Sequence, residues 1–186
     1  MTHSLSSGPA DAPELDNELW RFVGSLYARE GVSHACLTLQ DKLGVDVDIL
    51  LFAIFARVQR GILLDTDDLA TVDNLVRDWR SEIIKVLRRL RTRLKAGPAP
   101  APSPFSEILR NRIKAAELEA EQIELAVLAG WLGRLPPRAG AGGDAKTVPL
   151  TVAHYFHAQA TEQPFTAEVE DCLRVLARAI DEVIPR

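Results

Sequence analysis

The segment CLTLQDKLGVDVDILLFAIFARVQRG, Cys36–Gly61, decides the fold. Its second half carries Val47, Ile49, Leu50, Leu51, Phe52, Ile54 and Phe55, which leave a helix apolar nearly all the way round. A helix of that kind must be covered on most sides, so residues of about 47–60 are expected at the centre of a bundle. Gly61 is placed to end it. The apolar run Ile49–Ala56 stops at Arg57, far short of the roughly 20 residues that cross a bilayer. In front of it, Gly44 can take the left-handed turn that closes the preceding helix. Asp46 fits the N-cap of the central helix and Asp48 its first turn, where unpaired amides favour a carboxylate.

Outward from this centre nearly everything follows a helical period, and no segment sustains the alternation of a strand. A first helix is expected over about 17–29, with Leu19, Phe22, Val23, Leu26 and Tyr27 on one face, Asp16 as N-cap and Gly31 as stop. A second, about 33–43 and capped by Ser33, carries Ala35, Cys36, Leu39 and Leu43. After the acidic start Asp65–Asp68, a helix over about 67–95, with a break near Asp73–Asn74, gathers Trp79, Ile83, Val86, Leu87, Leu90 and Leu94 into one arc. Its back is basic. Prolines at 98, 100, 102 and 104 make the 96–104 segment a stiff extended spacer. A long helix of about 105–132 follows, with a stripe from Leu109 through Ile113, Ala120 and Val127 to Trp131 and an acidic second half. Residues 134–146 form a Gly/Pro loop, and two helices of about 148–160 and 166–184 end the chain.

Composition bounds the rest. Across 186 residues, 47% are hydrophobic, 26% are charged and the net charge is -4, which suits one soluble domain over 16–186 and argues against a generally basic nucleic-acid binder. Residues 1–15 read as a disordered lead without the apolar run of a signal peptide, so a cytoplasmic location is expected. Cys36 and Cys172 are too few for a disulfide scaffold and read as buried thiols. No phosphate loop, dinucleotide fingerprint, Gly-x-Ser-x-Gly or Cys–His pairing is present, so no catalytic residue, cofactor or metal site is assigned.

Three sets of polar residues remain. Gln40, Asp41, Asp46 and Asp48 are brought together by the tight turn at Gly44. They read as helix punctuation, or as a cluster that would hold a cation, a ligand's polar head or a basic side chain. Arg80, Lys114, Glu117 and Glu121 are secondary candidates for the same site. The glutamates do not make a di-iron site, because neither His154 nor His157 follows a glutamate by three residues. Lys85, Arg88, Arg89, Arg91, Arg93 and Lys95 form a basic face that either meets the acidic long helix or contacts phosphates.

Trp20-Arg-Phe, Tyr27, Gly31-Val32, Cys36-Leu-x-Leu-Gln-Asp41, Gly44-x-Asp-Val-Asp48 and Leu50-Leu-Phe52 resemble the signature of an uncharacterised proteobacterial family with an LQD…DVN-LLF motif. Trp79-Arg80, Leu87–Arg91 and Lys114–Glu121 extend the resemblance over about residues 18–130. It implies a small, largely helical cytoplasmic protein and no particular activity. Asp48 stands where that pattern carries Asn, adding a charge and removing an amide donor.

The expected architecture is all-α: a multi-helix bundle around the central helix, with a long amphipathic pair and two C-terminal helices. The first functional expectation is an interaction or adaptor protein with a protein partner or self-association. The alternatives are a small-ligand-binding protein or enzyme built on Gln40–Asp48, and a nucleic-acid-associated regulator using the basic face. No membrane role is expected.

Overall fold

The computed structural model of the protein describes residues 14–136, 143–160 and 164–184. All of the expected lead but Glu14 and Leu15, and positions 137–142 of the Gly/Pro loop, lie outside the described residues. The described chain is all-α, without a strand: α1 (Glu18–Tyr27), α2 (Val32–Leu43), α3 (Val47–Arg60), α4 (Thr66–Trp79), a π-turn at Arg80–Ile84, α5 (Lys85–Arg93), α6 (Pro104–Gly133), α7 (Val148–Ala160) and α8 (Ala167–Val183). A single 3-10 turn, Ala145–Thr147, leads into α7. No described helix is long and apolar enough to cross a membrane.

The centre is where the apolar run places it. Every residue from Ile49 to Ala56 is buried. α3 packs on α1, α2, α4, α6, α7 and α8, because a helix with no polar face can be stable only when enclosed. Phe22 meets Phe55 edge-on at 5.4 Å, and Phe52 meets Trp131 of α6 in the same manner at 6.1 Å. Gly44 and Gly61 end α2 and α3 in the left-handed conformation expected of them. The C-terminal helices complete the enclosure. α8 runs antiparallel to α2, with Lys42–Glu168 at one end and Arg29–Glu182 at the other. Cys36 and Cys172 are buried, unbridged thiols.

Several local expectations are corrected. Asn17, not Asp16, caps α1: its side chain accepts the Trp20 amide, while Asp16 sits outside and pairs with Arg21. Gly31 rather than Ser33 begins α2. Its φ of 78° is left-handed, and a Cβ there would come within 3.1 Å of Val175 on α8, so Gly31 is fixed by conformation and by close approach together. The spacer is not extended. Ala101 N–H donates to the Pro98 carbonyl at 2.8 Å, and Ser103 and Ser106 form a capping box that starts α6 at Pro104. α5 and α6 therefore fold back on one another as a hairpin.

The long basic helix is interrupted at Arg80–Ile84, not at Asp73–Asn74. A π-turn takes one residue more than an α-turn, so positions after it rotate relative to a straight helix. Ile84 is buried, while Trp79, Ile83, Val86 and Leu90 of the expected apolar arc are left partly exposed. Arg88 and Arg91 are carried round to face α6.

Phe52→Ala should cost about 3–5 kcal/mol by urea denaturation, from lost burial and the hole left between α3 and Trp131.

Candidate functional site

The N-terminus of α3 is capped by a charged side chain in a buried place. Asp46 Oδ1 accepts the Ile49 amide at 3.0 Å, and its Oδ2 accepts from Arg80 Nη1 at 2.7 Å. Arg80 Nη2 donates to Asp73 Oδ1 on α4 at 2.6 Å. Asp73 also accepts from Arg77 and from the Tyr155 hydroxyl, at 3.3 and 3.2 Å. Burial opposes the charge of Asp73, but the Arg80 contact outweighs it and holds the carboxyl below its ordinary value. The two aspartates in turn keep Arg80 firmly protonated. The π-turn places this guanidinium, and wide turns of this kind recur at functional sites.

Two helical turns onward, Arg88 gathers a second group. Its Nε donates to Glu117 Oε1 and its Nη1 to Gln40 Oε1, each at 2.8 Å, and its Nη2 to Glu121. Arg91 also donates to Glu117, through Nε and Nη2. Glu117 is buried, yet these arginines hold its carboxyl below its ordinary value. Glu121 lies the other way: burial raises it, and Glu117 beside it offsets part of the help from Arg88.

Between the two arginines lies a cavity of about 660 Å³. Trp20, Val23, Gly24 and Tyr27 of α1 form one wall. Gln40, Asp46, Asp48, Arg80, Arg88 and Glu121 supply polar lining, and the exposed side chains of Asp41, Lys85 and Arg89 also border it. Behind that lining Glu124, only 1% exposed, has both carboxylate oxygens buried with no hydrogen-bond partner. Burial, together with Asp46 and Asp48, pushes its carboxyl up to about 10. Asp48 is raised well above its ordinary value for the same reasons, burial first and then Asp46 and Glu121. Burial pushes the nearby Cys36 thiol up to about 12, which makes it a poor nucleophile.

The structure thus brings together Gln40, Asp46 and Asp48 with Arg80, Glu117 and Glu121. Asp41 lies at the cavity rim, exposed, and Lys114 is exposed outside it. The basic face divides: Arg88 and Arg91 are taken up by the glutamates of α6, leaving Lys85, Arg89, Arg93 and Lys95 exposed. His154 and His157 both pack on Phe165 at 4.7 and 4.9 Å, at the edge of the fold. Sequence reasoning missed Asp73, Glu124 and the aromatic wall. For Glu124 a signal existed: Ile113, Glu117, Ala120, Glu124 and Leu128 recur at helical spacing, so two glutamates occupy the buried stripe of α6.

A family model described as "Protein of unknown function (DUF2390)" matches residues 18–128, and the chain belongs to this family. No curated protein and no solved structure matches it. The matched stretch holds every cavity residue and omits α7 and α8.

A carboxyl whose folded-state value is raised stabilises the fold at low pH and loses that contribution as pH climbs toward the raised value. For Glu124 the window runs from its ordinary 4.5 to about 10, at up to ~1.4 kcal/mol per pH unit. In the presence of a chelator, Glu124→Gln is expected to match wild type near the bottom of this window and to exceed it by a few kcal/mol at mildly alkaline pH. Denaturant titrations across the window read the difference in slope.

Proposed function

We propose that this family member is a small-ligand-binding protein whose ligand occupies the cavity between α1, the α2–α3 turn and the α5–α6 hairpin. The observation that carries this reading is convergence. Gln40, Asp46, Asp48, Arg80 and Glu121, drawn from four places in the chain, line a single concavity of about 660 Å³. That volume lies within the ~300–1,000 Å³ common for small-molecule sites. An aromatic and aliphatic wall faces a few polar groups whose positions are already set by Arg80 and Arg88, so little ordering remains to be done on binding. The ligand that fits is a small polar molecule with one apolar side for Trp20 and Tyr27. We assign no reaction to the site.

A second reading, self-association, is favoured by one observation. The far end of the α5–α6 hairpin presents Phe105, Ile108 and Leu109 on one face of α6 to solvent, with Phe105 83% exposed. A clustered apolar patch of this kind marks a contact surface more often than a scattered residue does.

Gly24 offers a clean test of the cavity, because it lies on the cavity wall and a Cβ there meets nothing within 4 Å. Native mass spectrometry of protein purified from its own cells should show a small organic mass that denaturation releases. Gly24→Trp should fold normally by circular dichroism and lack that mass. Wild type without any such mass, or equal loading of the two proteins, overturns the ligand reading. For self-association, sedimentation velocity should show a dimer that Phe105→Ser combined with Leu109→Ser converts to monomer; a wild type that is monomeric at every concentration overturns it.

A further inference from the structure

We propose that Asp46, Asp48 and Glu124 bind one hard divalent cation, of the magnesium, manganese or calcium class, at the floor of the cavity. The inference deepens the ligand reading by naming what the deepest part of that site takes.

Three carboxylate oxygens, one from each residue, lie within 4.8 Å of one another. A hard cation held at ~2.1–2.6 Å from each oxygen spans that spacing. An all-oxygen set excludes any preference for soft metals. The local architecture explains why these oxygens meet. Asp46 and Asp48 sit two residues apart at the start of α3, and α6 crosses beside them with Glu124 on its buried stripe.

Glu124 is the observation that points to a ligand rather than to an acidic surface. Its side chain is enclosed, aimed at the two aspartates, and neither of its oxygens receives a donor. Buried carboxylates in folded proteins are satisfied by hydrogen bonds, an ion pair or a metal. The two part-buried guanidiniums nearest these carboxylates are already engaged. Arg80 spans Asp46 and Asp73, and Arg88 spans Gln40, Glu117 and Glu121. Neither guanidinium reaches Glu124, and on Asp48 both act only through space. Asp46 keeps spare acceptor capacity, since each of its oxygens takes one hydrogen bond and has a second lone pair. A cation on these three oxygens therefore supplies what the protein's own donors do not. Asp46 and Asp48 also line the cavity, so the cation's remaining coordination positions open toward it.

The test uses the full chain, stripped with a chelator and titrated with Mn²⁺ alone, free Mn²⁺ being followed by electron paramagnetic resonance. One Mn²⁺ per chain is expected, with a rise in melting temperature. Asp48→Asn and Glu124→Gln should each weaken binding more than ~10-fold, while Glu119→Gln, exposed on the same helix, should leave it unchanged. Paramagnetic broadening in wild type reports location without any substitution. It should remove amide signals around residues 46–49 and 121–125 and spare those of residues 105–110 at the far end of α6, about 20 Å or more along the helix from Glu124. Absence of Mn²⁺ binding by wild type, binding undiminished in both variants, or broadening centred elsewhere overturns the proposal. Gly24→Trp separates it from the ligand reading, because that variant blocks the opposite wall and should still bind Mn²⁺. Wild type that carries an organic mass but takes up no Mn²⁺ overturns the cation site alone.

Discussion

Asp46 closes the amino end of α3 and, through Arg80, ties that end to Asp73 of α4. Much of the molecule follows from this one contact. α3 is enclosed by six other helices, so its first amides cannot turn to water and must be satisfied by a side chain. A carboxylate does so best against the helix dipole, but a buried carboxylate needs a countercharge. Arg80 meets that need from within the π-turn. The extra residue in that turn rotates α5, directs Arg88 and Arg91 at Glu117, and leaves Val86 and Leu90 half open to solvent. The cap of one helix and the face of another are thus linked.

Buried ion pairs of this kind seldom stabilise a fold more than well-packed apolar residues would; breaking one is what costs heavily. What Arg80 and Arg88 contribute is register. They set where α4, α5 and α6 stand relative to the start of α3, and their bulk and charge keep the space between them from closing into an apolar core. A cavity remains where a hydrophobic interface would have packed shut. Asp48 and Glu124 stand at its base outside every arginine pair, and burial, together with the carboxylates beside them, raises both well above the ordinary carboxylate.

Much of the fold was legible in the chain. The enclosure of α3, the left-handed glycines at 44 and 61, the cap Asp46 and the acidic start of α4 at Asp65–Asp68 all depend on residues within a turn or two of one another. The candidate site was legible only in part. Gln40, Asp46, Asp48, Arg80, Glu117 and Glu121 could be marked as polar residues without an obvious local task, but not as one group. Asp41, marked with them, lies at the rim, and Lys114 lies elsewhere. Glu124 was read as part of a charged face, because a straight count of acids hides that two of them share the apolar stripe of α6.

By itself the sequence determined the helices, several of their ends and which helix lies innermost, since hydrophobic period, capping and backbone conformation act over a few residues. Tertiary structure alone decided which charge meets which. Asp46 and Arg80 are 34 residues apart, and Gln40 and Arg88 are 48 apart. A π-turn that no propensity marks sets the angle at which those arginines arrive. Electrostatic partnership depends on distance and burial, and both are properties of the packed bundle rather than of any one of its helices.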